Sequence, residues 1–454
     1  MLKLEIQEHS QLMRSASGPS VSRTDGKTSV PAHLYDRLKR FDQLNHTEAD
    51  RVFDWRDGTA RARQWVGVIQ VAGLQLEILP KIDDANGANT DYRAHANLLY
   101  MLSVAGDVPL LSRDVARLSV RKSPLSETLA AIFAERLLTE LLRGPERTYV
   151  AREENLRQFK GKLLVSPQIL HNSAHRERFF CRFDEFCEDT PMNQVFRAAC
   201  KILLDATHSS HTQDLLGRCL LILGDVSDAA AVQDLLAKVT LSRQNERFAE
   251  VFRFCRLILA GQSPTAEGGR ERSFSLLFDM NVVFERFVAA FMRKHVLPNH
   301  PGFHLYEQAR HRTRHLMEHN EKGALPLKPD LLIEAPAGRN LVIDTKWKRL
   351  TDKKARDGVA VADLHQLYAY AQRYDCLRSV LLYPGIAGAV AKDYDVLDHQ
   401  GRKTGQQVGV RFVNLHQDLT GREGQASLRR ELSQLLAESA DCPAPPPGPP
   451  SWQP

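Results

Sequence analysis

Residues 328–350 read KPDLLIEAPAGRNLVIDTKWKRL. Two apolar runs, Leu331-Leu332-Ile333 and Leu341-Val342-Ile343, flank a small, polar turn, as the strands of a hairpin do. Asp330 opens the first run, Asp344 closes the second, and Lys346 follows two residues later. Strand side chains alternate between faces, so Asp344 and Lys346 share one. An antiparallel partner, PDLLIE, brings Asp330 beside them at its start. Two carboxylates in an apolar setting repel each other and resist ionising unless a cation joins them. A hard cation such as Mg²⁺ prefers oxygen ligands and keeps several waters. It lowers the pKa of a bound water and neutralises charge building on a phosphate. A lysine on the same face adds a mobile positive charge for the attacking water or the phosphorane. The triplet alone has little specificity, because ordinary charged usage gives about two or three in a chain of this size. A hairpin with surface acids puts its charges at the turn, whereas here apolar residues bracket both acids.

Working outward, FDMNVVFERFVAAFMRK (Phe278–Lys294) has helical periodicity, with Phe284, Phe287, Val288 and Phe291 on one face and Asn281 and Glu285 beside it. After the hairpin, VADLHQLYAYAQRYD sets Gln366 and Tyr370 one turn apart, with Leu364, Leu367 and Ala371 inward. VLLYPG (Val380–Gly385) adds a further strand. Standing alone, Glu285 is a solvated helix charge, and Gln366 with Tyr370 belongs to a routine amphipathic helix.

A length of 454 residues exceeds one ordinary core and implies two or three domains. The spacing predicts a strand-rich region over 1–120, a helical connector over 121–270 and an α/β domain over 271–440. The tail DCPAPPPGPPSWQP, 441–454, is proline-rich and reads as disordered. Within the first region, residues 14–30 read as a mobile polar loop, and Trp65–Ile82 as a hairpin turning at Ala72-Gly73 and ended by Pro80. In the connector, Ser123 as cap, Pro124 at the first helical position and Gly144-Pro145 as stop delimit a helix with Leu125, Leu129, Ile132, Phe133, Leu137 and Leu141 as its stripe.

A net charge of +6 permits a polyanionic partner without demanding one. Seven cysteines with no CxxC pair suggest reduced buried thiols in the cytoplasm rather than a disulfide frame or a zinc site. No stretch approaches 18 uninterrupted apolar residues, which argues against a membrane span. His311, His315 and His319 recur at a spacing that binds zinc only on a helix. The intervening arginines favour a polar strand or loop at a DNA groove. Lys346, Lys348, Arg349, Lys353, Lys354 and Arg356 leave the hairpin together, in position for phosphate contact. Trp347 next to them is assigned to packing over base stacking.

The order of these pieces resembles the PD-(D/E)xK nuclease superfamily in its RecB-like form: Glu285 on a helix, Pro329-Asp330, Asp344-Thr345-Lys346, then Gln366-x-x-x-Tyr370. GVIQVAGLQLEILPKI, NLLYMLS (Asn97–Ser103), KGKLLVSPQI (Lys160–Ile169), FDEFCEDTPMNQVFRAA (Phe183–Ala199) and LLFDMNVVFERFV look like the McrC family, over about residues 65 to 420. That family supplies the nuclease subunit of the McrBC modification-dependent restriction system. The resemblance implies a multidomain α+β chain whose C-terminal domain is an αβββαβ restriction-endonuclease-like core. It implies Mg²⁺, with Mn²⁺ as a substitute, held by Asp330, Asp344 and the Thr345 carbonyl. Lys346 would assist the water, Glu285 would orient the metal shell, and Gln366 and Tyr370 would position DNA or catalytic groups. DNA contacts fall to Lys348, Arg349, Lys353 and Lys354. The implied partners are double-stranded DNA, modified at 5-methylcytosine or a similar base, and a hexameric McrB-like AAA+ GTPase that the strand-rich region 1–120 binds and stimulates. GTP belongs to that partner: Gly26-Lys27-Thr28 lacks the first P-loop glycine, because Val21 stands in its place. Two other readings remain open, a regulatory adaptor of an AAA+ ring with little nuclease activity and a stand-alone DNA repair nuclease.

Overall fold

The structure is a computed structural model. It describes all residues except 17–19, 23–26, 83–89, 111–123, 229–231, 261, 264–272, 337–339, 349, 351–357, 386–389 and 441–454. The expected cap Ser123, the basic residues Arg349, Lys353, Lys354 and Arg356, and the proline-rich tail therefore lie outside the described residues. The chain forms two compact units. One comprises 1–67, 73–122 and 277–454, and the other 68–72 and 123–276.

In the first unit, Leu2–Gln7 runs parallel to Leu74–Leu79, with Leu4 opposite Leu76 and Glu5 opposite Glu77. A five-stranded sheet follows the order Ser20–Ser22, Lys27–Pro31, Gln11–Ser15, Thr59–Ala62, Phe53–Arg56. The expected loop over 14–30 is thus corrected in part, since it holds two strands among its described residues. Thr28 and Val30 alternate inward in that segment and are buried, a period-two signal that Ser, Gly and Pro nearby obscure. The helix Ala32–Asn45 ends over this sheet at Asp42, which is fully buried. Its carboxylate accepts from Val52 N at 2.9 Å, Phe53 N at 3.2 Å and Trp55 Nε1 at 2.7 Å. Such a buried charge is tolerable because it is saturated with donors. Ala72-Gly73 makes the expected turn, and Gly73 adopts a φ of +82°, which glycine enters without steric cost. Pro80 follows directly on the strand Leu74–Leu79.

The C-terminal part of this unit begins with the helix Met280–Phe291, capped by Asp279, whose side chain accepts from Asn281 N. Phe284, Phe287, Val288 and Phe291 are all buried on it, as their spacing required. A six-stranded sheet follows in the order His304–Glu307, Leu331–Glu334, Asn340–Thr345, Cys376–Pro384, Lys403–Val413, Lys392–Leu397. Leu331–Glu334 and Asn340–Thr345 are antiparallel, with Leu331 opposite Ile343. Asn340–Thr345 and Cys376–Pro384 are parallel, and the helix Val361–Tyr374 crosses between them. Leu332, Val342, Leu367, Tyr370, Tyr374, Leu381 and Tyr383 form one apolar cluster. The segment containing His315 and His319 is a strand, Arg314–His319, paired with Lys322–Leu327. A helical zinc spacing is therefore excluded.

N- and C-terminal segments of this unit are packed together. The Tyr100 and Phe287 rings are 6.1 Å apart. Asn97 Nδ2 donates to Leu415 O at 2.9 Å and Gln417 O at 2.8 Å, and Asn97 Oδ1 accepts from Leu419 N at 3.0 Å. Trp347 is buried against Phe284, with ring centroids 5.4 Å apart. Its Nε1 donates to both Glu8 carboxylate oxygens at 2.9 Å.

The second unit holds the helices Leu125–Leu142, Pro191–Ala206, Ser210–Ile222, Val232–Lys238 and Ala249–Ala260. The stripe of the first is buried as expected, but Pro124 stands at the N-cap rather than at the first helical position. Thr190 caps Pro191–Ala206 through its side chain. Beside the helices lies a three-stranded antiparallel sheet, with Phe179–Cys187 between Lys162–Leu163 and Thr148–Leu156. The helical reading of this region missed that sheet. Its strands are laced by charge pairs: Arg182 faces Glu153, and Arg152 Nε lies 2.8 Å from Glu185 Oε2. Among the described residues, their buried alternation is limited to Cys181 and Phe183.

Candidate active site

The hairpin positions the chemistry. Leu331, Leu332 and Ile333 on one strand and Leu341, Val342 and Ile343 on the other are buried and set the register. That register brings Asp330 to Thr345. Asp330 Oδ2 accepts from Thr345 N and from Thr345 Oγ1, each at 2.7 Å. Asp344 follows the face of Val342, toward the crossing helix, and is 1 % exposed. Lys346 Nζ lies 2.7 Å from Asp344 Oδ2 and 3.8 Å from Asp363 Oδ1. The same ammonium donates to Gln366 Oε1 at 3.4 Å, and Gln366 Nε2 donates to the Tyr370 hydroxyl at 2.8 Å. The expected residues are therefore linked in one chain from Asp344 through Lys346 and Gln366 to Tyr370.

Glu285 approaches from the helix Met280–Phe291, and its Oε1 accepts from Gln308 Nε2 at 3.1 Å. Burial, then Asp330, push its carboxyl up to about 7. Asp344 is pushed up to about 6, first by burial and next by Asp330. Asp330 is raised by burial despite its bonds from Thr345. Lys346 is raised: burial works against its charge, but Asp344 outweighs that. Burial also pushes Tyr370 up to about 12, so it is a hydroxyl at neutral pH.

Sequence reasoning missed Gln308 and Asp363. Asp363 precedes Gln366 by three residues, so helical spacing places it on the same face. Gln308 had no such signal. It lies in a turn where Gln308, Ala309 and His311 have φ of 50°, 47° and 62°. Left-handed backbone in non-glycine residues stores strain and clusters near functional sites. Gln308 N also donates to Asp330 O at 2.8 Å, which ties this strained turn to the acids. Lys348 is exposed, and its Nζ donates to Gly358 O at 3.0 Å.

The donor set suits a hard divalent ion. Asp330 and Asp344 are desolvated oxygen donors with raised pKa, and Asp344 Oδ2 makes its ion pair without any regular hydrogen bond. Mg²⁺ needs only one or two carboxylates and completes its shell with water. Among the described residues, the group of three acid or imidazole side chains with ligand atoms within 4.8 Å of one another is Glu5, Glu77 and His95. Among the described residues, Glu285, Asp330 and Asp344 do not close to that degree. Nor do His311, His315 and His319 form such a group.

The family profile described as McrBC 5-methylcytosine restriction system component matches residues 60–384. The chain belongs to the McrBC family. The match leaves out the first strands, up to Phe53–Arg56, and spans the whole second unit and the site itself. McrBC chains also head the structural comparison. A chain of the Thermococcus gammatolerans assembly of McrB AAA+ hexamers with bound McrC aligns at a TM-score of 0.70 and 19% identity, covering 96% of this chain and 100% of that one. A second, from the McrBC complex of the same organism, aligns at 0.49 and 22% identity over 65% and 90%. The first likeness shows a shared fold. No curated protein sequence matches the chain. Among the described residues no helix is long and apolar enough to cross a membrane.

Proposed function

We propose that this chain is the nuclease subunit of an McrBC-type restriction complex, cutting modified double-stranded DNA by hydrolysis of phosphodiesters. The observation that carries this reading is the linked set Asp330–Thr345 and Asp344–Lys346–Gln366–Tyr370 within a helix–strand–strand–strand–helix–strand order, counting the strands of the six-stranded sheet and leaving aside the separate hairpin 314–327. That order supports a restriction-endonuclease-like core. Asp330 and Asp344 would hold Mg²⁺ or Mn²⁺, which supplies an activated water and neutralises phosphate charge. Thr345 clamps Asp330 through two donors, so that carboxylate keeps one orientation. Lys346 places a permanent positive charge beside Asp344 for the phosphate oxygens, and Gln366 with Tyr370 holds it there. Glu285, its carboxyl pushed up to about 7 by burial and Asp330, would orient the water shell of the metal ion.

In this reading the chain works with a McrB-like AAA+ GTPase that supplies GTP hydrolysis and base recognition, and it stimulates that partner. Its docking surface is assigned to the three-stranded sheet and to the helix Val165–Asn172, which lies between the strands Lys162–Leu163 and Phe179–Cys187 in the chain. Tyr149, Phe159, Val165, Ile169, Leu170 and Phe186 are large apolar side chains exposed there, Leu170 to 76%. Contiguous exposed apolar surface marks protein contacts. The decisive assay replaces Lys346 with Ala and measures cleavage of a methylated duplex with partner, GTP and Mg²⁺. A loss of 100-fold or more is expected, on the order reported for lost electrostatic donors. Undiminished cutting refutes the assignment.

A further inference from the structure

A cavity of about 360 Å³ lies beside the site, lined by Glu8, His9, Arg61, Lys81, Trp347, Lys348 and Pro384. We infer that it seats a backbone phosphate of the duplex flanking the position of cleavage, with Arg61, Lys81 and Lys348 as its cations. The inference rests on the nuclease reading above.

The wall carries three Lys or Arg side chains and one carboxylate, a net charge of +2. That carboxylate is turned away from solvent. Glu8 is 2% exposed, and its oxygens accept from Trp347 Nε1 and from Lys81 N at 2.8 Å. Arg61, Lys81 and Lys348 are exposed, and among the described residues none of them forms an ion pair with an acid. Both arginines of the six-stranded C-terminal sheet, by contrast, are paired, Arg378 and Arg411 each with Asp393 and Glu438. Arg61 Nε donates to His9 O at 3.3 Å and Lys348 Nζ to Gly358 O at 3.0 Å, neutral acceptors that leave the positive charge uncompensated, and such cations around one concavity provide an anion site. The positive field is felt locally: His9 is pushed down, first by burial and then by Arg61 and Lys81.

Placement selects the anion. Trp347 and Lys348 directly follow Lys346, so the cavity wall begins within about 7 Å of backbone from the catalytic lysine. DNA carries phosphates about 3.4 Å apart along each strand axis. A duplex held at Lys346 therefore brings a neighbouring phosphate to Lys348. Arg61 and Lys81 come from the N-terminal sheet and its flank, which gives that region a part in substrate binding.

The test uses the full chain, a fluorescent duplex and Ca²⁺ or EDTA to suppress cutting, with affinity read across a salt series. R61Q/K81Q is compared with R176Q/K238Q, which removes two exposed charges of the other unit. Loss of the one phosphate contact seated here lowers the magnitude of the slope of log K against log salt by about 1. A slope equal to wild type in R61Q/K81Q, or an equal drop in R176Q/K238Q, overturns the inference, as does absence of wild-type binding at low salt. Micromolar inorganic phosphate or GTP displacing duplex from wild type but not from R61Q/K81Q also overturns it, assigning the cavity to a free phosphate group. No cleavage enters this measurement. A slope unchanged in R61Q/K81Q leaves the nuclease reading standing, and cutting by K346A leaves the slope result standing.

Discussion

Burial and the charge of Asp330 raise Asp344 to about 6 and Glu285 to about 7, from ordinary values of 3.8 and 4.5. Between those limits the folded, metal-free chain holds protons that the unfolded chain has released. Both groups thus favour the folded state most below pH 4, and this contribution is lost as pH rises through 6 and then 7. The melting temperature of the metal-free chain should fall across that window, and D344N should flatten the fall. Mg²⁺ competes with those protons, so it should raise the melting temperature more at pH 8 than at pH 6; an equal rise at both contradicts the acid pair as its site. Thr345 offers a finer test. T345V deletes the Oγ1 donor to Asp330 and keeps the backbone donor, so cleavage should drop on the order of tenfold, consistent with about 1.5 kcal/mol for a bond to a charged group. T345S should restore it. Wild-type activity in T345V would separate Asp330's orientation from catalysis. At this scale the sequence was informative where spacing equals geometry. Asp344, Lys346, Gln366 and Tyr370 were legible because strands repeat every two residues and helices every three to four. Gln308 was not, because a turn of left-handed residues has no periodicity.

Between elements, the contact of Trp347 with Glu8 joins the N-terminal strand Leu2–Gln7 to the end of the strand Asn340–Thr345. W347F preserves packing on Phe284 but removes the indole donor from a buried carboxylate. The expected destabilisation is about 2 kcal/mol, read by urea denaturation. E8Q/W347F should cost less than the sum of the two single changes, because the pair is coupled. Additive effects would mean that the contact contributes nothing. The same pair explains a limit of sequence reading. Packing was foreseen for Trp347, yet its partner lies 339 positions away, and no local pattern encodes such a distance. The helices Leu125–Leu142 and Met280–Phe291 were legible from their apolar stripes. The sheet of Thr148–Leu156 and Phe179–Cys187 was not, since half-exposed strands held by Arg and Glu pairs resemble a solvated segment.

For the whole molecule, one unit carries the linked site of Asp330, Asp344 and Lys346, and the other carries exposed apolar side chains such as Ile169 and Leu170. I169D/L170D should abolish co-elution with the AAA+ partner while leaving the melting temperature of the isolated chain within about 1 °C, because both side chains are solvent-facing and such changes seldom exceed about 0.5 kcal/mol. Retained co-elution would move the docking surface elsewhere, back toward the first 120 residues. The most direct test of the central claim measures both reactions in one complex. With D344N, the partner, GTP, Mg²⁺ and methylated duplex, GTP turnover should match the wild-type complex while the DNA stays intact. DNA cut at the wild-type rate by D344N would contradict the account.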